Sequence, residues 1–159
     1  MSRRVLPALA LVAAGAVALP AVTSAQSTGA RDITVREKVQ SIRFVHQQRS
    51  TKGDRLATGD RLLTRQRLFD DANKAIGTLF TDCVNVGASA RVFAATLQCT
   101  ATYRFADGQL VLTGVLPVGT AGTSAPIVGG SGAYRGARGE VTTGKPEKGY
   151  DIDVLHLDG

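Results

Sequence analysis

The chain has 159 residues, enough for one domain, and 19 basic against 13 acidic residues give it a net charge of +6 at pH 7. Only 5% of the residues are aromatic, and the arginines are scattered along the chain. This composition disfavours nucleic-acid binding, which needs concentrated basic side chains and, for single strands, aromatic rings on which bases stack.

The first 25 residues have the features of a secretory signal peptide. Arg3 and Arg4 precede an almost wholly apolar run over residues 6–22, and small residues follow it up to Ala25. The alternative is an uncleaved membrane anchor, which the two prolines of the run and the small residues after it disfavour. We predict cleavage near Ala25, which removes both arginines and leaves a net charge of +4. The mature protein is then secreted or held in the cell envelope, and it contacts a membrane only through the signal peptide before cleavage.

The mature chain begins with a polar, irregular stretch. Residues 26–40 are predicted to form a flexible arm, with a short strand near Ile33 to Val35, and residues 41–159 to form the folded domain. A strand over residues 41–46 leads into the polar segment Gln47–Gly59, whose Gly-Asp pairs are turn signals. This segment either covers one end of the domain or is disordered.

The next strand, residues 61–69, carries Arg61, Arg65 and Arg67 on one face. We interpret this row as a solvated outer face rather than as a ligand-binding site.

The two cysteines are predicted to form a disulfide. Residues 75–86 and 91–105 alternate as two strands. Cys83 shares a face with Leu79, Thr81 and Asn85, and Cys99 lies on the apolar face of the second strand. Export implies an oxidising compartment, where a cysteine pair is usually bonded. Direct pairing of the two cysteines centres the hairpin on Arg91, near the turn residues, and a bond closing about 16 residues stabilises a fold by about 3 kcal/mol.

A second hairpin is indicated by Asp107-Gly108, a typical two-residue turn. That turn predicts Phe105 opposite Leu110 and Tyr103 opposite Leu112. It continues the apolar face onto the following strand.

The last strand, residues 150–157, places Tyr150, Ile152, Val154 and His156 on one face and Asp151 and Asp153 on the other. Seven or eight alternating strands and no strongly amphipathic helix predict an all-β fold, an eight-stranded antiparallel barrel. Small residues at inward positions leave room for a ligand: Ala95, Ala101 and Gly114.

A glycine-dense segment follows an apolar run late in the chain, and its glycines are predicted to form a structural loop: Gly129, Gly130, Gly132 and Gly139. It does not fit a phosphate-binding loop, because no helix follows it and Pro146 stands where a P-loop carries Ser or Thr. No metal site is predicted, since Asp151 and Asp153 face away from His156, and no nucleophile elbow is present.

Residues 127–139 read I-V-G-G-S-G-A-Y-R-G-A-R-G and resemble the signature G-G-(T/S)-G-x-(Y/F)-x-x-A-R-G of allene oxide cyclases and plant dirigent proteins. The closing V-L-H-L also resembles the last strand of dirigent proteins, and the likeness spans residues 59–157. The exported, Ala/Arg/Gly-rich chain is identified as a bacterial secreted member. The resemblance implies a calycin-type eight-stranded barrel, often a homotrimer, with an apolar cavity and no cofactor.

The resemblance also implies a function. Cyclases of this class hold one reactive conformer of an unstable molecule, and dirigent proteins orient phenoxy radicals made by other enzymes. Arg138 matches the family arginine, which is either catalytic or pairs with a carboxylate to lock the corner, and Tyr134 matches the aromatic position.

Two hypotheses follow. The first is a barrel that binds a small apolar molecule and steers its cyclisation or coupling, with Arg138 and His156 as catalytic candidates and Tyr103 and Tyr134 as ligand contacts. The second is a non-catalytic lipocalin-like carrier or structural envelope protein. Catalysis needs a polar group inside the cavity. The enzymatic hypothesis fails if Arg138 and His156 lie outside the barrel and no charged group lies within it.

Overall fold

The computed structural model of the chain describes residues 30–47, 51–117 and 120–158. The predicted signal peptide and the first residues of the predicted arm lie outside these ranges. The strands are β1 (Arg31–Val45), β2 (Arg55–Leu56), β3 (Arg61–Phe69), β4 (Ala75–Asn85), β5 (Ala90–Arg91), β6 (Leu97–Phe105), β7 (Gly108–Leu116), β8 (Ser124–Gly132), β9 (Gly139–Thr143) and β10 (Asp151–Leu157). A single 3-10 turn, Val92–Ala94, follows β5. Within the described ranges, no helix has the length and apolar character needed to cross a membrane.

Eight of these strands close into an antiparallel barrel in the order β1-β10-β9-β8-β7-β6-β4-β3. The predicted fold class is therefore confirmed. Alternation along each strand fills the interior, as in β6, where Leu97, Cys99, Ala101 and Tyr103 are buried between exposed or half-buried polar neighbours. β2 and β5 pair with each other outside the barrel.

The first barrel strand lies where a flexible arm is predicted, and residues 31–40 correct that boundary. β1 begins at Arg31 and pairs with both β10 and β3, so it is one of the eight strands of the barrel. Ile33, Val35 and Glu37 alternate toward the interior, and Val35 is fully buried. The polar residues between them are outward positions of a strand, which is why the stretch reads as irregular.

The disulfide prediction is confirmed. Cys83 and Cys99 face each other directly on β4 and β6, with a Cα–Cα distance of 4.0 Å, and their sulfur atoms are bonded. The whole β4–β6 ladder keeps the register that this pair predicts, from Gly77 opposite Phe105 to Asn85 opposite Leu97.

The predicted register of the next hairpin is wrong by two residues. Tyr103 pairs with Leu110, not with Leu112. Gly108 belongs to β7 rather than to the turn. The neighbouring β8 approaches so closely that a Cβ on Gly108 would lie 2.2 Å from the Ser131 carbonyl oxygen. A shift of two residues keeps every side chain on its face, so the predicted apolar face of β7 is unchanged.

The described part of the polar segment 47–59 covers one side of a barrel end. Leu56 packs with Leu62, Val92, Leu97 and the disulfide in a second apolar cluster. Asp60 lies fully buried beneath this cover. Its carboxylate accepts hydrogen bonds from the backbone N–H groups of Gln47 (2.7 Å) and Ala57 (2.9 Å), and it lies 3.0 Å from His46 Nδ1.

Candidate functional site

A cavity of about 120 Å³ lies inside the barrel, beside the cover. It opens at the end where β7 and β9 finish and β8 and β10 begin. Its walls are mostly apolar, with a few hydroxyl groups and one carboxyl group: Leu79, Thr81, Ala101, Tyr103, Leu112, Leu116, Pro117, Thr123, Ser124, Ala125, Val141, Thr143 and Asp153.

Tyr103 and Asp153 line this cavity, and Glu37, which is not one of the lining residues, lies next to Asp153. We call these three residues the acid cluster: Glu37, Tyr103 and Asp153. Their relative exposures are only 4%, 2% and 8%. The Tyr103 hydroxyl donates a hydrogen bond to Asp153 Oδ2. Glu37 Oε1 is buried and has no hydrogen-bond partner among the described residues.

Strand register brings the acid cluster together. Val35 of β1 is opposite Asp153 of β10, and Glu37 lies two residues further along the same face of β1. Thr143 of β9 is opposite Asp153 on its other side. Tyr103 reaches Asp153 from β6, across the interior of the barrel.

Burial determines the protonation of the cluster. The pKa of Glu37 is raised well above its usual range, first by burial and then by the negative charge of Asp153 and a hydrogen bond to it. Burial also raises the pKa of Asp153, but hydrogen bonds from Tyr103, Glu37 and Thr143 oppose that rise. The pKa of the Tyr103 hydroxyl is raised by burial and by both carboxyl groups. The arrangement therefore favours a neutral Glu37 that donates to an Asp153 carboxylate, next to a neutral tyrosine.

Such a cluster can hold a polar group of a ligand and accept a proton from it at Asp153. No group of three or more His, Cys, Asp or Glu side chains placed to hold a metal ion occurs among residues 30–47, 51–117 and 120–158.

Of the predicted ligand contacts, only Tyr103 lines this cavity. Tyr134 is buried in the core at the opposite end of the barrel, with its ring 5.3 Å from that of Phe105 and the Arg31 guanidinium 5.4 Å from its centre. Tyr134 is therefore a core residue and does not line the cavity.

Both predicted catalytic residues lie outside the barrel, which corrects their placement. The His156 side chain is 44% exposed, and its Nδ1 lies 2.8 Å from Asp32 Oδ1. Its neighbours Leu155 and Leu157 take the inward positions of β10. Arg138 is exposed at the corner after β8, and its side chain donates to the Ala137 carbonyl oxygen.

The glycine corner has a structural role at most of its positions. A Cβ on Gly130 would lie 2.4 Å from the Tyr134 carbonyl oxygen, and Gly139, at φ +138°, would meet the His156 carbonyl oxygen at 1.9 Å. Gly132 is equally crowded by Asp107. A Cβ on Gly129 would meet only Arg138 Nη1, at an ordinary contact distance of 3.9 Å, so no close contact requires glycine there.

Neither Glu37 nor Asp153 is among the predicted site residues. Glu37 lies in the stretch interpreted as an arm, and Asp153 lies on the face of β10 opposite His156, the predicted contact. The sequence does carry a signal for both. Glu37 alternates with Ile33 and Val35, and Asp153 alternates with Leu155 and Leu157, so each acid continues an apolar face.

Comparison with known proteins identifies the family. A family model described as allene oxide cyclase barrel like domain matches residues 38–155. The chain belongs to this family. The resemblance stated from the glycine signature is therefore confirmed. No curated protein matches the chain.

Several solved structures share the fold of this allene oxide cyclase-like barrel. A pyocyanin demethylase matches with a TM-score of 0.66 and 20% identity, over 80% of this chain and 99% of that one. A nonspecific heme-binding cyclase that catalyses a cycloaddition during neoabyssomicin biosynthesis matches with a TM-score of 0.61 and 17% identity, over 81% and 68%. The pterocarpan synthase dirigent protein GePTS1 matches with a TM-score of 0.58 and 18% identity, over 84% and 86%. At these identities the likeness concerns the fold.

Proposed function

We propose that this allene oxide cyclase-like barrel binds a small, largely apolar molecule in its cavity and steers the cyclisation or coupling of that molecule. One observation carries the proposal: the apolar cavity ends on a buried acid cluster. An apolar wall provides affinity, and a few fixed polar groups provide orientation, which is the usual composition of a small-molecule site.

The size of the cavity suits a ring-sized fragment. Its volume of about 120 Å³ is close to that of an engineered cavity of about 150 Å³ that accepts benzene. A molecule held there has few conformations available, and restraint of a reactive conformer lowers the barrier to ring closure. A larger ligand extends through the open end toward Pro117 and Ser124.

Asp153 is the group on which a reaction depends in this proposal. Its carboxylate orients the ligand through a hydrogen bond and accepts a proton released as a ring closes, while neutral Glu37 and Tyr103 stabilise its charge. The enzymatic hypothesis requires a charged group within the barrel if Arg138 and His156 lie outside. The acid cluster meets this requirement.

The solved structures of similar fold support a role in steering. They include a cyclase that catalyses a cycloaddition, a pterocarpan synthase dirigent protein and an exo-specific intermolecular Diels-Alderase. Secretion after cleavage near Ala25 and assembly as a homotrimer are part of the same proposal.

Filling the cavity should remove the ligand. We expect protein purified from its producer to carry a small molecule in native mass spectrometry, and Ala125→Leu to lose it, because Ala125 lines the cavity and is 5% exposed. Val128→Leu on the outer face of the same strand is the matched control, since Val128 is 43% exposed. Equal retention by both variants would contradict the proposed site. The same spectra give the number of subunits and the mature N-terminus.

Asp153→Asn distinguishes steering from carrying. If the barrel steers a reaction, we expect this variant to retain the precursor and to lower the rate of its conversion by at least about 100-fold, the contribution typical of a general acid or base. Liquid chromatography of molecules released from the two proteins measures the ratio of precursor to product. An unchanged ratio would favour the lipocalin-like carrier.

A further inference from the structure

Five basic side chains project from the outer surface formed by β1, β3, β4 and β6, and we call them the basic face: Lys38, Arg43, Arg65, Arg67 and Arg104. All five are exposed. Strand register places three of them in one row, because Lys38 is opposite Arg67, Arg67 is opposite Thr78, and Thr78 is opposite Arg104. Arg65 and Arg43 continue the array toward the other end of the barrel.

The charges of the basic face have no acidic partners. Within residues 30–47, 51–117 and 120–158, none of the five side chains forms a salt bridge, although Arg61 on the same surface pairs with Asp82. The residues outside these ranges include no Asp or Glu. Like charges directly opposite each other, such as Lys38 and Arg67, destabilise a sheet. The fold therefore does not explain this arrangement, whereas an anionic partner does.

Aromatic rings lie beneath several of these cations. The Arg65 guanidinium lies 5.8 Å from the centre of the Phe80 ring, that of Arg67 lies 5.9 Å from Phe69, and the Lys38 ammonium lies 5.8 Å from Tyr150. Ring faces covered by cations are not available for stacking on nucleic-acid bases. Phe80 nevertheless remains 40% exposed, so this charged surface also presents apolar area.

The shape of the basic face indicates what it contacts. Its cations are spread over three strand spacings, about 14 Å, and over several residues along the strands, so they form a two-dimensional array rather than a line. The barrel is closed, so this array lies on a convex wall, and the long side chains of Lys and Arg allow its cations to reach anionic headgroups spread over a surface. Exposed aromatic area beside cations is favourable at the boundary between headgroups and acyl chains.

We propose that the basic face docks the barrel onto the surface of an anionic lipid bilayer. The open end and its cavity remain uncovered in this orientation, because the basic face lies on the side wall of the barrel. The signal peptide is predicted to contact the membrane before cleavage, and this docking surface is a second, electrostatic contact made by the folded domain.

Vesicle co-sedimentation of the protein purified from its producing host tests the proposal. We expect binding to vesicles with about 30% phosphatidylglycerol in phosphatidylcholine, weak binding to pure phosphatidylcholine, and release of the barrel at about 0.5 M salt, where screening is strong. The triple variant Lys38→Gln/Arg67→Gln/Arg104→Gln should bind anionic vesicles about 100-fold more weakly, given the usual contribution of a basic residue at such a surface.

The matched control removes the same charge from other exposed positions, as Lys52→Gln/Arg135→Gln/Lys145→Gln. Both triple variants share the N-terminus of the unaltered protein, so an apolar N-terminal segment contributes equally to all three. Circular dichroism melting checks that each variant is folded. An equal loss of binding in the two variants, equal binding to neutral vesicles, or binding to heparin or nucleic acid without binding to vesicles would each overturn the proposal.

Discussion

Glu37→Gln should make the protein more stable than the unaltered chain at alkaline pH and leave it nearly unchanged at pH 4. The pKa of Glu37 is raised from its usual value of 4.5, mainly by burial. Between 4.5 and the raised pKa, the folded state therefore binds a proton that the unfolded state has released, and stability falls as pH rises. The slope is about 1.4 kcal/mol per pH unit over that interval.

Glutamine keeps the shape of a neutral glutamic acid and does not titrate, so the variant avoids this loss. Thermal or urea unfolding at pH values from 4 to 9 measures the difference in unfolding free energy between the two proteins, which should widen with pH above 4.5 and level off above the raised pKa of Glu37. The stability of the variant still depends weakly on pH through Asp153, because burial raises the pKa of that residue too. Glu140→Gln on the exposed face of β9 is the control and should leave the slope unchanged. Parallel curves for Glu37→Gln and the unaltered protein would contradict the buried, neutral state of Glu37.

Asp60→Asn should cost about 1.5–3 kcal/mol of unfolding free energy at neutral pH, the usual contribution of hydrogen bonds to a charged group. The Asp60 carboxylate is fully buried and accepts hydrogen bonds from two backbone N–H groups. An asparagine cannot satisfy all of these donors, because one of its side-chain atoms is itself a donor. We expect the melting temperature to fall by about 10 °C.

The effect should also depend on pH. Burial alone would raise the pKa of Asp60, but hydrogen bonds from His46, Gln47 and Ala57 outweigh it and lower the pKa from 3.8. The ionised carboxylate therefore contributes stability that is present above pH 3.8 and is lost as pH falls through the lowered value. The difference in unfolding free energy between Asp60→Asn and the unaltered protein should therefore narrow below pH 3.8. Asp54→Asn in the same segment is the control, since that side chain is 48% exposed. Equal losses from the two substitutions would contradict the role of Asp60.

Much of the fold follows from local pattern because successive side chains of a barrel strand point in turn to the apolar interior and to water. β6 alternates over its whole length, and a cysteine pair fixes its register against β4. The Asp107-Gly108 pair misleads because glycine serves two purposes. In this barrel, Gly108 permits close approach of β8, a contact from 23 residues further along the chain that no local turn rule contains.

The acid cluster could not be predicted by the same rule. Alternation assigns a strand face by its apolar members, and a buried acid counts as evidence for the wrong face. β10 shows this directly, because Ile152 and Val154 favour the face of His156 while Asp153 takes the interior with Leu155. Only the closure of the barrel brings Asp153 to Tyr103, 50 residues earlier in the chain.

Tyr134 is buried at the end of the barrel opposite the open end of the cavity. Phe105 and the core pack against Tyr134 at that end, whereas the cavity opens at the other end, beside Pro117 and Ser124. If the proposed reaction takes place in this cavity and both molecules use this opening, a product must leave before the next substrate can approach Asp153. Product and substrate then exclude each other, so accumulated product would slow turnover by simple competition, and the residues around the mouth, remote from the acid cluster, would set the pace of exchange.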